Sequence, residues 1–162
     1  MSMTVRLATL SDADDIASLT LQLGYHVEST VLKARLSRFL ARPDHRFLVA
    51  EIDARVVGWV HAIRSECIEA GTYVTIGGLV VERTHRSRGI GRVLIERAEE
   101  WAREEGCSMV RLWSTTARSA AHRFYERHGY SKIKTQYAFA KALDGADQQL
   151  LGRLAPRLDE EA

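Results

Sequence analysis

Cysteine is scarce in this 162-residue chain. Only Cys67 and Cys107 are present, too few for a disulfide framework. Cys107 precedes a buried-looking apolar run and reads as a core thiol, whereas Cys67 lies near a loop. An excess of one charge is missing too. Lys plus Arg number 23 against 21 Asp plus Glu, a formal net charge of +2. That is too small to argue for nucleic acid or a membrane surface as partner. No apolar stretch approaches the roughly 20 residues a spanning helix needs. The first residues, Met1-Ser2-Met3-Thr4-Val5-Arg6, lack the apolar segment of a secretion signal. These absences together predict a cytoplasmic protein with reduced thiols. No internal repeat is visible. What remains is 46% hydrophobic and 27% charged, the values of an ordinary globular domain long enough to bury a sizeable core.

The most informative segment is Arg86-Ser87-Arg88-Gly89-Ile90-Gly91. It follows the apolar run Ile76-Gly77-Gly78-Leu79-Val80-Val81. It precedes a stretch with apolar residues at Ile90, Val93, Leu94, Ala98 and Trp101, a helical rhythm. Glycines at a strand-to-helix turn let main chain approach a ligand closely. Free amides at a helix start attract anions. Arg83, Arg86, Arg88 and Arg92 flank that start with His85 among them. Cations there oppose the helix macrodipole, and a bound anion would reverse the sign. The alternative is a solvated basic turn. Two better-known phosphate motifs are absent. No Gly-Lys-Ser/Thr follows, so this is not a P-loop. Leu94 stands where a dinucleotide fingerprint needs its third glycine.

The rest of the chain reads as alternating elements. Thr4 to Ala8 starts a strand. Ser11 is positioned to cap a helix whose buried stripe is Ile16, Leu19 and Leu23, with Gly24 ending it. Leu32, Leu36, Phe39 and Leu40 mark a second helix, stopped at Pro43-Asp44. Phe47–Ile52 and Val56–Ile63 form a hairpin around Asp53-Ala54-Arg55. A loop at Glu66 to Gly71 leads to a fourth strand, Tyr73 to Val81. Its Gly77-Gly78 pair suggests a bulge or close ligand approach, or simply relief of crowding in the sheet. A helix over 89–105, a strand over 108–114 and a helix from Ala117 to His128 follow. Lys132 to Ala142 reads as a closing hairpin strand or pair. A boundary falls at Asp144-Gly145, giving a domain over 1–143 and a tail over 144–162. The tail's Leu150, Leu151, Leu154 and Leu158 suit a short helix, packed on the domain or on a second subunit of a homodimer, or else a frayed end.

Three motifs in order resemble the GNAT acyltransferase family over about residues 3–142. Arg86 to Gly91 is similar to the family's Arg/Gln-x-x-Gly-x-Gly/Ala acetyl-CoA segment. Ala120-Ala121-His122-Arg123-Phe124-Tyr125-Glu126-Arg127-His128-Gly129-Tyr130 resembles its Ala-x-x-x-(Phe/Leu)-Tyr-x-x-x-Gly-(Phe/Tyr) segment. Arg46 to Arg64 resembles its second and third strands. The resemblance implies an α/β (α+β) domain: a mixed, mostly antiparallel central sheet of six to seven strands, flanked by about four helices. It implies an N-acetyltransferase with acetyl-CoA as cosubstrate and no metal. The diphosphate would sit on the amides from about Arg88 to Val93, that is Arg88, Gly89, Ile90, Gly91, Arg92 and Val93, with Arg86 and Ser87 also binding the coenzyme. The pantetheine arm would pair with main chain at Leu79, Val80 and Val81, in a slot between splayed strands. The Leu79 amide would bond the thioester oxygen, stabilising charge in the tetrahedral transition state. Tyr125 would be the general acid, since a phenol can protonate the leaving thiolate; the alternative is that it packs beside Phe124 on an apolar stripe.

Two positions depart from the family pattern. The glutamate base of histone-acetylating relatives would fall at Thr75, eleven residues before Arg86, and threonine cannot replace a carboxylate. Glu66, Glu69, His61 and Glu28 are alternatives, each of which reads first as a surface or structural residue. Arg118 stands seven residues before Tyr125, where many relatives place an asparagine; it can meet a phosphate or be solvated. Leu23 to Ser37 usually lines the acceptor side, and Tyr25, His26, Glu28 and Glu66 or Glu69 suit a cationic amine. The acceptor class is a small-molecule amine such as an amino sugar or polyamine, with a protein lysine or N-terminal amine as the alternative. Neither cysteine falls in a nucleophile arrangement, so direct attack in a ternary complex is expected. A non-catalytic acyl-CoA-binding module is a competing reading. A nucleic-acid surface at Arg83–Arg92 would show steep salt dependence, and no base-reading motif accompanies it.

Overall fold

The computed structural model describes residues 2–143, so the expected C-terminal helix lies outside the described residues. Five strands form one sheet in chain order: β1 (Met3–Leu7), β2 (His45–Ile52), β3 (Arg55–Cys67), β4 (Gly71–Val81) and β5 (Val110–Leu112). All neighbours are antiparallel except β4 and β5, which are parallel. Four helices accompany them: α1 (Ala13–Gln22), α2 (Ser29–Leu40), α3 (Ile90–Glu104) and α4 (Ser119–Arg127). The mostly antiparallel α/β class expected from the sequence is present, with five strands among the described residues instead of six or seven.

Among the described residues, those up to Trp113 and those from Ser114 to Leu143 belong to separate compact units. In the first, β2, β3 and β4 alternate their side chains between two helical layers. Phe47, Val49, Trp59 and Val80 join Ile16 and Leu19 of α1 and Leu32 and Leu36 of α2 in one buried cluster. On the opposite face α3 packs its buried stripe, Ile90, Leu94, Ile95, Ala98, Trp101 and Ala102. Gly58 of β3 faces Leu94 and Ile90 there, and the Arg46 guanidinium lies 5.3 Å over the Trp101 ring.

The element ends refine the sequence reading. Thr9, not Ser11, opens the first helical segment. It caps a 3-10 turn, Leu10–Asp12, in a reciprocal box with Asp12, and the Thr9 amide donates to Asp12 Oδ2 at 2.7 Å. Buried Asp12 also takes both Arg6 Nη groups at 2.8 Å, and that guanidinium holds its carboxyl below the usual range. The β2–β3 turn is two residues, Asp53 and Ala54, at φ 50° and 60°, with Ile52 paired to Arg55. Both left-handed residues fit the twist of a tight hairpin. The expected Glu66–Gly71 loop is shorter: β3 runs through Cys67 and pairs it with Gly71.

In the second unit, α4 carries the expected helix. Lys132 to Ala142 forms no strand. Ile133, Tyr137 and Phe139 are 72%, 91% and 94% exposed. Apolar residues favour a strand only where a neighbour supplies backbone partners and covers one face, and here neither happens.

Candidate active site

The site begins with an interrupted edge. β5 pairs with β4 only at Val74, Thr75 and Ile76. Beyond Ile76, among the described residues, no strand pairs with β4 on that side. β3 continues to pair on the other, through Gly78, Leu79, Val80 and Val81. The Glu82 amide donates to Val57 O of β3 at 2.8 Å. Alternation then directs the main-chain groups of Val80 and Gly78 to β3 as well, and those of Leu79 and Val81 to the open side. The Arg86 guanidinium agrees: its Nε donates to Val81 O at 3.1 Å. Val80, by contrast, turns its carbonyl toward Gly58, where a Cβ would lie 2.9 Å from it.

The Gly77-Gly78 pair has two separate causes. Gly77 is the extra residue of a bulge, since His61 pairs with Gly78 and Ala62 with Ile76. Gly78 lies against the Trp59 indole: a Cβ there would sit 2.6 Å from the ring. The second role requires glycine whether or not a ligand binds.

Past Val81 a 3-10 turn, Arg83–His85, carries the chain to α3. The Arg83 amide is tied to α1 through Gln22 Oε1 at 3.1 Å. His85 Nδ1 lies 2.6 Å from Glu82 Oε2. Ser87 and Gly89 are both left-handed, at φ 62° and 81°. Gly89 is the N-cap of α3, with no side-chain cap and no acidic residue in the first turn. The amides of Ile90, Gly91 and Arg92 therefore have no helical acceptor. They form the positive end of a 15-residue helix whose first side chain, Ile90, is anchored in the core at 2% exposure. Val93 closes the first turn onto Gly89 O at 3.1 Å. Arg88 and Arg92 are exposed, and Arg92 Nε donates to Glu96 at 2.7 Å.

In the second unit, Arg118 is the N-cap of α4 and Tyr125 lies two turns on. The Tyr125 ring is edge-on to Phe124 and Tyr130, at 5.2 and 5.7 Å. Burial pushes the phenol up, and the nearby Arg118 charge pulls it back. The net direction keeps it protonated at neutral pH.

The candidate bases separate by position. Glu66 pairs with Thr72, so roughly 23 Å of strand lie between it and Leu79 at about 3.3 Å per residue. Glu69 lies in the turn beyond it. Glu28 is exposed at the start of α2, 3.5 Å from His26. Thr75 faces Ser65 across the sheet at 3.3 Å. His61 is buried beside the bulge, stacked with Phe47 and His45 and tilted against Phe39. Sequence reasoning missed two supports of this region, His45 and the Trp59–Gly78 contact. Among the described residues no group of three or more His, Cys, Asp or Glu side chains is arranged to hold a metal ion. No described helix is long and apolar enough to cross a membrane.

Comparison with known proteins accords with this geometry. Residues 13–130 match the family model described as the acetyltransferase (GNAT) family. The chain belongs to that family. It is 28% identical over 140 residues to an uncharacterised N-acetyltransferase of Methanocaldococcus jannaschii, covering 80% of this chain and 61% of that protein. It is 29% identical over 141 residues to the aminoalkylphosphonate N-acetyltransferase of Salmonella typhimurium, covering 86% and 90%. Among solved structures, an aminoglycoside N-acetyltransferase in complex with CoA superposes with a TM-score of 0.79 at 17% identity, covering 86% and 95%. That likeness is one of fold.

Proposed function

We propose that the chain is an N-acetyltransferase that moves the acetyl group of acetyl-CoA to the primary amine of a small molecule, by direct attack. The observation that carries this reading is the continuity of two unsatisfied backbone surfaces. The open edge of β4, at the Leu79 main chain and the Val81 amide, leads past the Val81 carbonyl, which accepts from Arg86 Nε, and through the left-handed turn at Ser87 and Gly89 to the uncapped start of α3. An amide-bearing arm ending in a diphosphate matches that sequence of donors.

On this reading the amides from Arg88 to Arg92 hold the diphosphate; those of Arg86 and Val93, named with them from the sequence, already donate to Arg83 O at 3.4 Å and to Gly89 O at 3.1 Å. The Leu79 carbonyl and the Val81 amide pair with the pantetheine amides. The Leu79 amide donates to the thioester oxygen as it becomes an oxyanion. Val80, named with them from the sequence, contributes through its buried side chain, which fixes the strand. The free amine attacks the carbonyl carbon, the C–S bond breaks, and Tyr125 protonates the departing thiolate. Arg118 is assigned to the coenzyme phosphates. A small-molecule acceptor is supported by relatives whose names specify aminoalkylphosphonate and aminoglycoside acetylation.

The test is an amine panel with thiol detection on wild type and Tyr125→Phe. Amine-dependent release of CoA is expected from wild type, with a 100-fold or larger loss of kcat in the variant, the scale of general-acid catalysis. Acetyl-CoA binding should be retained. CoA release that no amine accelerates would refute the transferase reading. An unchanged kcat would remove Tyr125 as the acid.

A further inference from the structure

Resting on that transferase reading, we infer that His61 Nδ1 takes the proton lost by the attacking amine, and that His45 relays it toward solvent. His61 pairs with Gly78, the residue before Leu79, and its Nδ1 would lie 3.4 Å from a Cβ built on Gly77. It is thus the titratable side chain nearest the Leu79 amide along the β3–β4 ladder. The carboxylates of Glu66 and Glu69 lie at the far end of that hairpin, and position 75 is a threonine.

The two rings are hydrogen-bonded, His61 Nε2 to His45 Nδ1 at 2.9 Å. The bond holds one proton. When Nε2 of His61 carries it, Nδ1 is left as a bare acceptor beside the bulge, and among the described residues it makes no other hydrogen bond. The rings are clamped by Phe39 of α2, stacked on His45 at 5.0 Å and tilted over His61 at 4.7 Å. Phe47 of β2 lies 5.1 Å from the His61 ring. The outer end of the pair meets a charge: His45 Nε2 lies 4.0 Å from Asp44 Oδ2. Asp44 in turn accepts from Arg42 at 2.6 and 3.0 Å. These are the charged groups around the pair. α2 contributes Phe39, and β4 contributes its two glycines. Burial, with the His45 charge adding to it, keeps His61 neutral, with a pKa pushed down to about 4.

The step balances. The amine nitrogen bonds the acetyl carbon and becomes cationic. Its proton passes to His61 Nδ1. The Nε2 proton of His61 moves to His45 Nδ1, and the Nε2 proton of His45 leaves to water beside Asp44. Reversal through solvent after product release restores both tautomers.

Chemical rescue tests the assignment. His61→Ala opens a cavity that imidazole can fill. The expected result is a kcat reduced about 100-fold or more, restored by added imidazole and not by pyrrole, which has the ring shape without the base. A kcat within threefold of wild type, or equal rescue by pyrrole, would overturn it. His45→Phe keeps a ring in the stack and removes the relay, so it guards against misfolding of the first variant. It should lower kcat at least tenfold with acetyl-CoA affinity unchanged, and an unaltered kcat contradicts the relay. Wild-type protein that releases no CoA in the presence of any amine is a different result, and it defeats the transferase reading itself.

Discussion

Trp59 and His61 sit side by side on one face of β3, and each constrains a glycine of β4. Gly78→Ala would drive a methyl into the Trp59 ring at 2.6 Å. That ring is buried and backed by Phe47 at 5.2 Å, so it cannot swing away. The expected loss is about 1–3 kcal/mol in urea denaturation. At Gly77 the nearest atom to a new Cβ is the flexible Ile63 Cδ1, at 3.2 Å, so Gly77→Ala should cost less. Equal losses would mean that the bulge, and not the indole, dictates both glycines. His61 gives a second expectation. A histidine in the unfolded chain titrates near 6.5, while folded His61 titrates at about 4. Between these values the unfolded chain binds the extra proton. Stability is therefore full above about pH 6.5 and falls as the pH drops toward 4, by an amount on the order of 3 kcal/mol. Burial lowers His45 in the same direction. Thermal denaturation between pH 7.5 and 4.5 should show this decline in wild type and a shallower one in His61→Phe. A wild-type Tm that holds steady over that range would contradict the buried neutral ring.

Strands and helices were legible from periodicity where one face is buried. The α3 stripe, the stop near Gly24 and the β2–β3 hairpin all follow from apolar spacing and turn residues. The register was not legible. A bulge between Ala50 and Glu51 shifts the β2–β3 pairing by one. Without it His61 would oppose Arg46, on the α3 side of the sheet. With it His61 opposes Phe47 and shares a face with His45, since a one-residue slip exchanges the faces of a strand. No local sequence signal marks that bulge, which is why His45 went unnoticed. The uncapped start of α3 at Gly89 was readable because a strand, two glycines and a helix fall in one short stretch. The closing hairpin was misread because alternation at Ile133 to Phe139 says nothing about whether a neighbour exists. The hairpin turn carries a prediction of its own. Ala54 is held at φ 60°, a conformation glycine adopts without the Cβ penalty. Ala54→Gly should raise stability by up to ~1 kcal/mol in urea denaturation, and a loss would show that the turn is unstrained.

At the scale of the whole molecule, the platform we propose for the coenzyme is built from backbone, with few side chains added to it. β4 is paired on one side and open on the other for half its length. α3 is anchored by Ile90 and Leu94 with its first amides left over. Such a platform can serve acetyl transfer to many acceptors, so the acceptor must be selected by other surfaces. Exposed Tyr25 and the His26–Glu28 pair, between α1 and α2, are the side chains we assign to that choice. The most direct measurement is a calorimetric titration with acetyl-CoA beside S-acetyl-pantetheine, which keeps the thioester arm and lacks the diphosphate. The structure predicts saturable binding of acetyl-CoA to wild type, binding of the truncated thioester at least tenfold weaker, and a weakened acetyl-CoA isotherm in Gly89→Ala. Equal affinity for the two thioesters, or no heat with acetyl-CoA, would contradict a diphosphate held by the amides of α3.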